Sequence, residues 1–325
     1  MGGRRFQATL LSAWYLLLLM ETSRANTEPF YRFHRFNEEF NRNMRITVGS
    51  LGLALRAGAT TKVNLKLPTE GEPWGAASEW RSISSVVPSA KQFISHIGLV
   101  RVLAAFEDLL ICAKGEHDRC AHTRDRGSAV TLPSQNGEDD ERVKVQALYR
   151  QLGWATAGIE PLIPMLSYFV VLRNCIVHRS ARASEHLFRL SRSEELLQCL
   201  SNWPTPRKKA LPTLPTLVVG RDIPLLPRHA IFCAEACYRI GLDLNERLRT
   251  FLGLEGIVYM AAFHGLLSDE PLRSNAYKST QTVLNSILTS RYRVEISDQQ
   301  EVASVLRRMN NWRNCCIRFT KLYPA

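Results

Sequence analysis

Arg173, Asn174 and His178 place a guanidinium, a carboxamide and an imidazole within six residues of one another. An unperturbed imidazole has a pKa of about 6.5, so its neutral form can take a proton from a ribose 2′-hydroxyl near neutrality. A guanidinium can grip a phosphate with paired N–H groups and meet the charge that builds on it during attack. A carboxamide can orient the imidazole or bond to the substrate backbone. Together these groups suit attack of a 2′-hydroxyl on the adjacent phosphorus. That reaction leaves a cyclic phosphate, needs no metal, and does not cut DNA. The spacing alone is weak evidence: with 33 Arg and 8 His in 325 residues, about 0.8 Arg-x4-His matches arise by chance. Requiring Asn directly after the Arg lowers that expectation to about a few hundredths.

A helix must carry these residues. It advances about 100° per residue, so Asn174 and His178 share a face, while Arg173 lies about 140° from His178. Pro161 and Pro164 mark the first turn of that helix. It runs through Met165–Val171 to about Arg182, the most apolar stretch after residue 25, and so belongs at the centre of a core. A second helix, from Ser89 to about Ala113, has an apolar face that includes Phe93, Ile97, Leu103, Phe106 and Leu110. It also carries Glu107, a supporting group for the site or an ion-pair partner for Arg173. The remaining alternative is structural: His178 closes a helix C-terminus and Arg173 pairs with an acid such as Glu107.

Further helices are expected over 27–48, ending at a turn containing Gly49, and over 138–154, 228–241 and 244–252. Three more are expected near 255–266, 276–290 and 298–311, the last with a capping box of Ser297 and Gln300. Alternation predicts strands at Thr61–Leu67 and Tyr292–Ile296. Six prolines crowd Trp203–Arg228, and within them Leu217–Ile223 reads as a small hairpin or extended arm.

The composition, 45% hydrophobic and 22% charged, is that of a folded globular chain, and excludes disorder throughout. No period of repeats is present. The net charge is +12, and Arg supplies 33 of the 42 basic residues. That skew fits a phosphate-rich partner. There is no Walker loop, dinucleotide fingerprint, His-Glu-x-x-His or Gly-x-Ser-x-Gly. Cys112, His117, Cys120 and His122 are metal-ligand types, but their spacing matches no usual zinc arrangement, so neither metal nor cofactor is expected. The eight cysteines read as reduced, buried thiols. Residues 1–25 have the form of a secretion signal: a basic start, the apolar run Leu10–Met20, then Ser23-Arg24-Ala25. The run is too short for a stable membrane span. A cytoplasmic location is expected, with export as the alternative if the segment is a true signal.

Arg173-Asn174-Cys175-Ile176-Val177-His178, following an apolar run, resembles the Arg-[Asn/Asp/His]-x3-His signature of the HEPN family (higher eukaryotes and prokaryotes nucleotide-binding domains). Ala105–Leu110, with its acids, looks like part of the first long helix of such domains. The resemblance covers roughly 89–250. It implies a mainly α fold, a HEPN-like helical bundle over 89–252, with a small hairpin. An N-terminal extension (1–88) and a small helical unit (253–325) flank it. It implies a metal-independent endoribonuclease of the toxin or antiviral-defence kind, with His178 as general base, Arg173 as phosphate stabiliser and Asn174 supporting. The implied partners are RNA, a second copy of the chain and an antitoxin protein. The alternative function is a non-catalytic adaptor module of the same fold that holds nucleotide or RNA. Some family toxins carry Tyr two residues after the His, where a partner modifies them; Ser180 stands at that position.

Overall fold

Residues 163–172 have no polar face, so the chain must surround them. The computed structural model, which describes residues 25–60, 83–124, 141–204, 213–272, 278–296 and 299–324, does this with helices. Among the described residues the chain is mainly helical and has no strand. The helices are α1 (Glu28–Thr60), α2 (Ile83–Arg124), α3 (Glu141–Gln151), α4 (Ile163–His178), α5 (Glu185–Leu190), α6 (Glu194–Ser201), α7 (Pro227–Ala262), α8 (Thr280–Ile287), α9 (Gln299–Arg308) and α10 (Trp312–Leu322). Two π-helical turns, Phe263–Leu267 and Leu288–Tyr292, follow α7 and α8.

The chain divides into two compact units. The first is built from Met1–Phe33, Asp108–Gly137 and Gly241–Ala325, the second from His34–Glu107 and Glu138–Ile240. In the second unit α4 packs against α3, α5 and α6. Its Tyr168, Phe169 and Leu172 are fully buried. Phe169 meets the edge of Phe232 at 5.6 Å, and Trp203 meets the same ring at 4.8 Å. Phe36 and Phe40 of α1 stack at 5.9 Å, and Gly98 of α2 lies against Phe40 and Met44, where a side chain would collide. In the first unit Gly241 sits against Leu109, Phe30 and Phe33. The C-terminal helices α8, α9 and α10 pack on one another.

Several expectations are corrected. No hairpin forms at 217–223. Val218–Arg221 make a turn, with Gly220 at φ 73°, and a single bridge joins Asp222 to Arg182. Pro215 and Pro224 flank the segment and lack the N–H groups a longer ladder needs. Tyr292–Ile296 is not a strand: the π-helical turn ends at Tyr292, Arg293 is left-handed at φ 55°, and an extended link follows. The alternation there records burial of Tyr292 and Val294 on one side. Helices α1 and α2 run past Gly49 and Gly115. An interior glycine costs only about 1 kcal/mol, which does not end so long a helix. Three expected helices, 228–241, 244–252 and 255–266, are one continuous stretch, α7 with the π-helical turn after it, broken in α7 only at Gly253, whose φ of 58° suits glycine. Helices α5 and α6 carry serine caps, Ser184 on Leu187 N–H and Ser193 on Leu196 N–H. The signal-like run, the segment 61–67 and Ser297 lie outside the described residues.

No disulfide joins any of the eight cysteines, and five of them are buried. Two helical stretches, Glu160–His178 and Pro227–Leu267, are long and apolar enough to cross a membrane by length and composition. About half of each apolar window (50% and 56%) is buried inside the protein, as in the core helices of folded domains.

At the start of α7, buried His229 accepts the Leu226 N–H on Nδ1 at 3.0 Å, which requires a lone pair there. Burial, reinforced by Arg228, pushes its pKa down to about 4. Below the ordinary value of 6.5 the unfolded chain takes a proton that the folded chain refuses, so this group's contribution falls as pH drops from there towards about 4. Glu116, whose carboxyl is raised by burial, acts in the opposite sense as pH rises. Urea titrations at neutral and mildly acidic pH should therefore show His229→Gln losing less stability on acidification than wild type. Equal losses in the two proteins would refute this.

Candidate functional site

Helix α4 delivers the candidate residues by running out of core. Leu172 and Cys175 are buried, whereas Asn174 and His178 are exposed and Arg173 is intermediate. His178 is the last residue of the helix. One helical turn separates it from Asn174, so both project from one face, and Arg173 lies about 7.5 Å back along the axis. The guanidinium of Arg173 comes within 3.8 Å of the Glu107 carboxylate on α2, with the two side chains 23% and 33% exposed. All four residues belong to the second unit. Arg173 and Glu107 are thus brought together, and Asn174 and His178 stand at the open end of the same helix.

The chain then reverses sharply. Arg179 and Ala181 both donate their N–H to the Cys175 carbonyl at 3.1 Å. Ser180 and Ala181 are left-handed, with φ of 51° and 60°. Side chains other than glycine take that region at a cost of roughly 1–2 kcal/mol each. The reversal is pinned from the neighbouring segment: Ile223 N–H donates to Ala181 O, Ala183 N–H to Arg221 O and Gly220 N–H to Ala183 O, each at 2.9 Å. This pairing sets exposed Arg179, Arg182 and Arg221 on two adjacent backbones beyond His178. Arg182 lies 3.9 Å from Asp222, with both side chains largely in water. Arg221 was not singled out from the sequence. Its link to the motif comes from pairing between segments nearly forty residues apart, which periodicity cannot show.

Other candidates are placed differently. Cys112, His117, Cys120 and His122 all lie on α2, and no group of three metal-ligating side chains exists among the described residues. His117 stacks on Phe251 at 3.9 Å, and Cys120 is buried. A cleft of the second unit, about 600 Å³, lies at the first turn of α4, lined by Glu160, Pro164, Cys199, Trp203 and Arg239 among others. It is about 21 Å of helix away from His178. Asn174 and His178 stand on the surface, apart from this cleft. A further pair, Glu116 and His264, went unnoticed in the sequence because 148 residues separate the two.

No protein-family model, curated protein or solved structure matches this chain.

The energetic roles of α4 residues should divide sharply. A partly exposed pair at 3.8 Å is worth about 0–1 kcal/mol, so Glu107→Gln should change unfolding stability by no more than that. Phe169→Ala, which empties a fully buried site, should cost about 3–5 kcal/mol. Chemical denaturation of both variants checks this. A large loss in Glu107→Gln would mean that the pair holds the fold.

Proposed function

We propose that this protein is a metal-independent endoribonuclease of the toxin or antiviral-defence kind, acting in the cytoplasm through a HEPN-like bundle. His178 takes the proton of a ribose 2′-hydroxyl, Arg173 holds the scissile phosphate, and Asn174 supports one or the other. The observation that carries the reading is the exit of α4 from the core. It leaves an imidazole and a carboxamide exposed on one face and a guanidinium nearby, with Arg179, Arg182 and Arg221 beyond them. An open, basic ledge suits a polyanionic strand better than a small substrate, because phosphates on either side of the cut can meet separate guanidiniums. Glu107 holds Arg173 near the end of the helix until substrate phosphate competes for it.

A second reading, a non-catalytic module that holds nucleotide or RNA, draws on the same Arg173–Glu107 approach, since an arginine occupied by a carboxylate can serve structure alone. The two readings separate on product. His178→Ala should lower cleavage of single-stranded RNA by about 10²–10⁴. Arg173→Ala should lower it by a similar or larger factor. The product of the wild type should end in a cyclic phosphate, and a chelator should leave the rate unchanged. Undiminished cleavage in both variants removes the catalytic assignment. Binding of RNA without cleavage by the wild type favours the adaptor.

The active form we propose is a dimer in which two such ledges share one strand, with an antitoxin protein as a further partner. Tyr168 and Leu172, on the apolar helix but buried in the core at 0% exposure, are left out of the pairing surface we propose. Val177, half exposed beside His178, is free to contribute. Mixed dimers of wild type and His178→Ala should lose more than half the activity. Full activity from a monomer in light scattering would end the shared-ledge arrangement while leaving single-chain cleavage intact.

A further inference from the structure

The first unit holds chemistry that the ribonuclease reading does not use. Glu116 of α2 is 4% exposed, and its Oε1 lies 2.8 Å from Nε2 of His264 in the first π-helical turn. Both residues line a cavity of about 140 Å³, together with Glu28, Arg32, Cys112 and Arg119. All of these belong to the same unit.

The polar groups of this cavity are unequally satisfied. Glu28, 1% exposed, takes Arg32 Nε at 3.0 Å and Arg291 Nη1 on a single oxygen, Oε1. Its second oxygen and that of Glu116 are buried without a hydrogen-bond partner, as is the Tyr292 hydroxyl. These three atoms have almost no accessible surface, so they do not present themselves to a ligand. The Arg32 side chain, in contrast, is 49% exposed, and among the described residues its terminal nitrogens have no hydrogen-bond partner. His264 uses Nε2 on Glu116, which leaves Nδ1 for the cavity. Arg119 lies face-on to Phe263, 3.8 Å from the ring centre.

The charges decide the sign of a ligand. Two guanidiniums line the cavity and a third, Arg291, backs Glu28, against the two carboxylates Glu28 and Glu116. Burial pushes the Glu116 carboxyl above the usual range, which reduces its negative charge further. The nearby Asp108 is exposed and does not line the cavity. The surplus is positive, so an added cation would be repelled. A metal ion also lacks a ligand set, since no metal-binding group exists among the described residues. The volume suits one small group: a 150 Å³ apolar cavity is known to hold about one benzene ring.

We propose that this cavity is a binding site for a small oxyanion, the phosphate or carboxylate group of a small molecule. The Arg32 fork faces its oxygens, and His264 donates through Nδ1 with Glu116 holding the ring. A guanidinium presents paired donors in the geometry that such oxygens accept. Glu116 acts on the ligand only through His264 and is a positioning residue. The site is independent of Arg173 and His178, so neither proposal falls with the other.

The test titrates the full chain with sulfate and, separately, with acetate, at ionic strength matched by chloride so that general screening cancels. Calorimetry reads the binding, and the ring signals of His264 locate it. Saturable binding with a Kd of about 1 mM and movement of the His264 signals are expected. Sulfate alone would assign a phosphate-type ligand; acetate would assign a carboxylate. Arg32→Gln should weaken binding about tenfold or more, and Arg32→Lys, which keeps the charge but loses the fork, by an intermediate factor. If Arg32→Gln does not fold, as judged by circular dichroism, Arg32→Lys and His264→Gln carry the comparison. No saturable binding of either anion to the wild type would overturn the proposal. So would binding undiminished in the folded Arg32 and His264 variants.

Discussion

Burial of α4 on nearly every side is the constraint on which the second unit depends. A helix with a single apolar stripe can lie on a surface, but this one presents Met165, Tyr168, Phe169, Val170 and Leu172, all at most 1% exposed, in successive directions. Each such side chain contributes roughly 1.5–3 kcal/mol by leaving water. The neighbouring elements are arranged to supply that burial: α3, α5 and α6 against α4, and Phe232 and Trp203 against Phe169. Cys175 is the last buried residue. The polar groups that follow it have nowhere to go but outward. The location of the candidate site at the C-terminal end of α4 is therefore a result of where the core stops.

The same end of α4 holds a tightly restrained turn. Two consecutive left-handed residues, neither of them glycine, are unfavourable alone, and the Cys175 carbonyl receives two N–H groups to hold them. The pairing of 181–183 with 220–223 completes the restraint. The ledge we propose for substrate would gain from such rigidity, because guanidiniums on a pinned backbone lose less freedom on binding phosphate. The prolines that stop this pairing from growing into a hairpin also keep it short, so the arginines beyond His178 are not drawn into a sheet.

Periodicity made most long helices legible in the sequence, including the one that matters most. It failed where a residue's environment came from elsewhere in the chain. Tyr292-x-Val294 alternates like a strand, yet it has no partner strand among the described residues, so burial on one side was mistaken for pairing. The short helices α5 and α6 were missed, although Ser184-Glu185 and Ser193-Glu194 are sound start signals, with a capping oxygen followed by acid in the first turn. The motif on α4 could be read because its residues lie within two helical turns. Glu107 could be named because it sits on a recognisable helix. Glu116 with His264, and Glu28 with Arg291, could not, since only the packing of distant helices brings those groups together.

The arginine skew takes on a second meaning in the structure. In the sequence it pointed to phosphate. Many of the guanidiniums are instead occupied in ways that lysine serves poorly. Arg32 bonds a carboxylate one turn away through Nε, and Arg239 and Arg247 do so through Nε and Nη2. Arg101, Arg119, Arg192, Arg239, Arg291 and Arg307 each lie over an aromatic ring. A planar, weakly hydrated cation can stack and bond at once, whereas an ammonium keeps its water. The net charge therefore does not measure phosphate affinity by itself. For the ribonuclease we propose, the relevant arginines are the smaller set left exposed beyond His178: Arg179, Arg182 and Arg221.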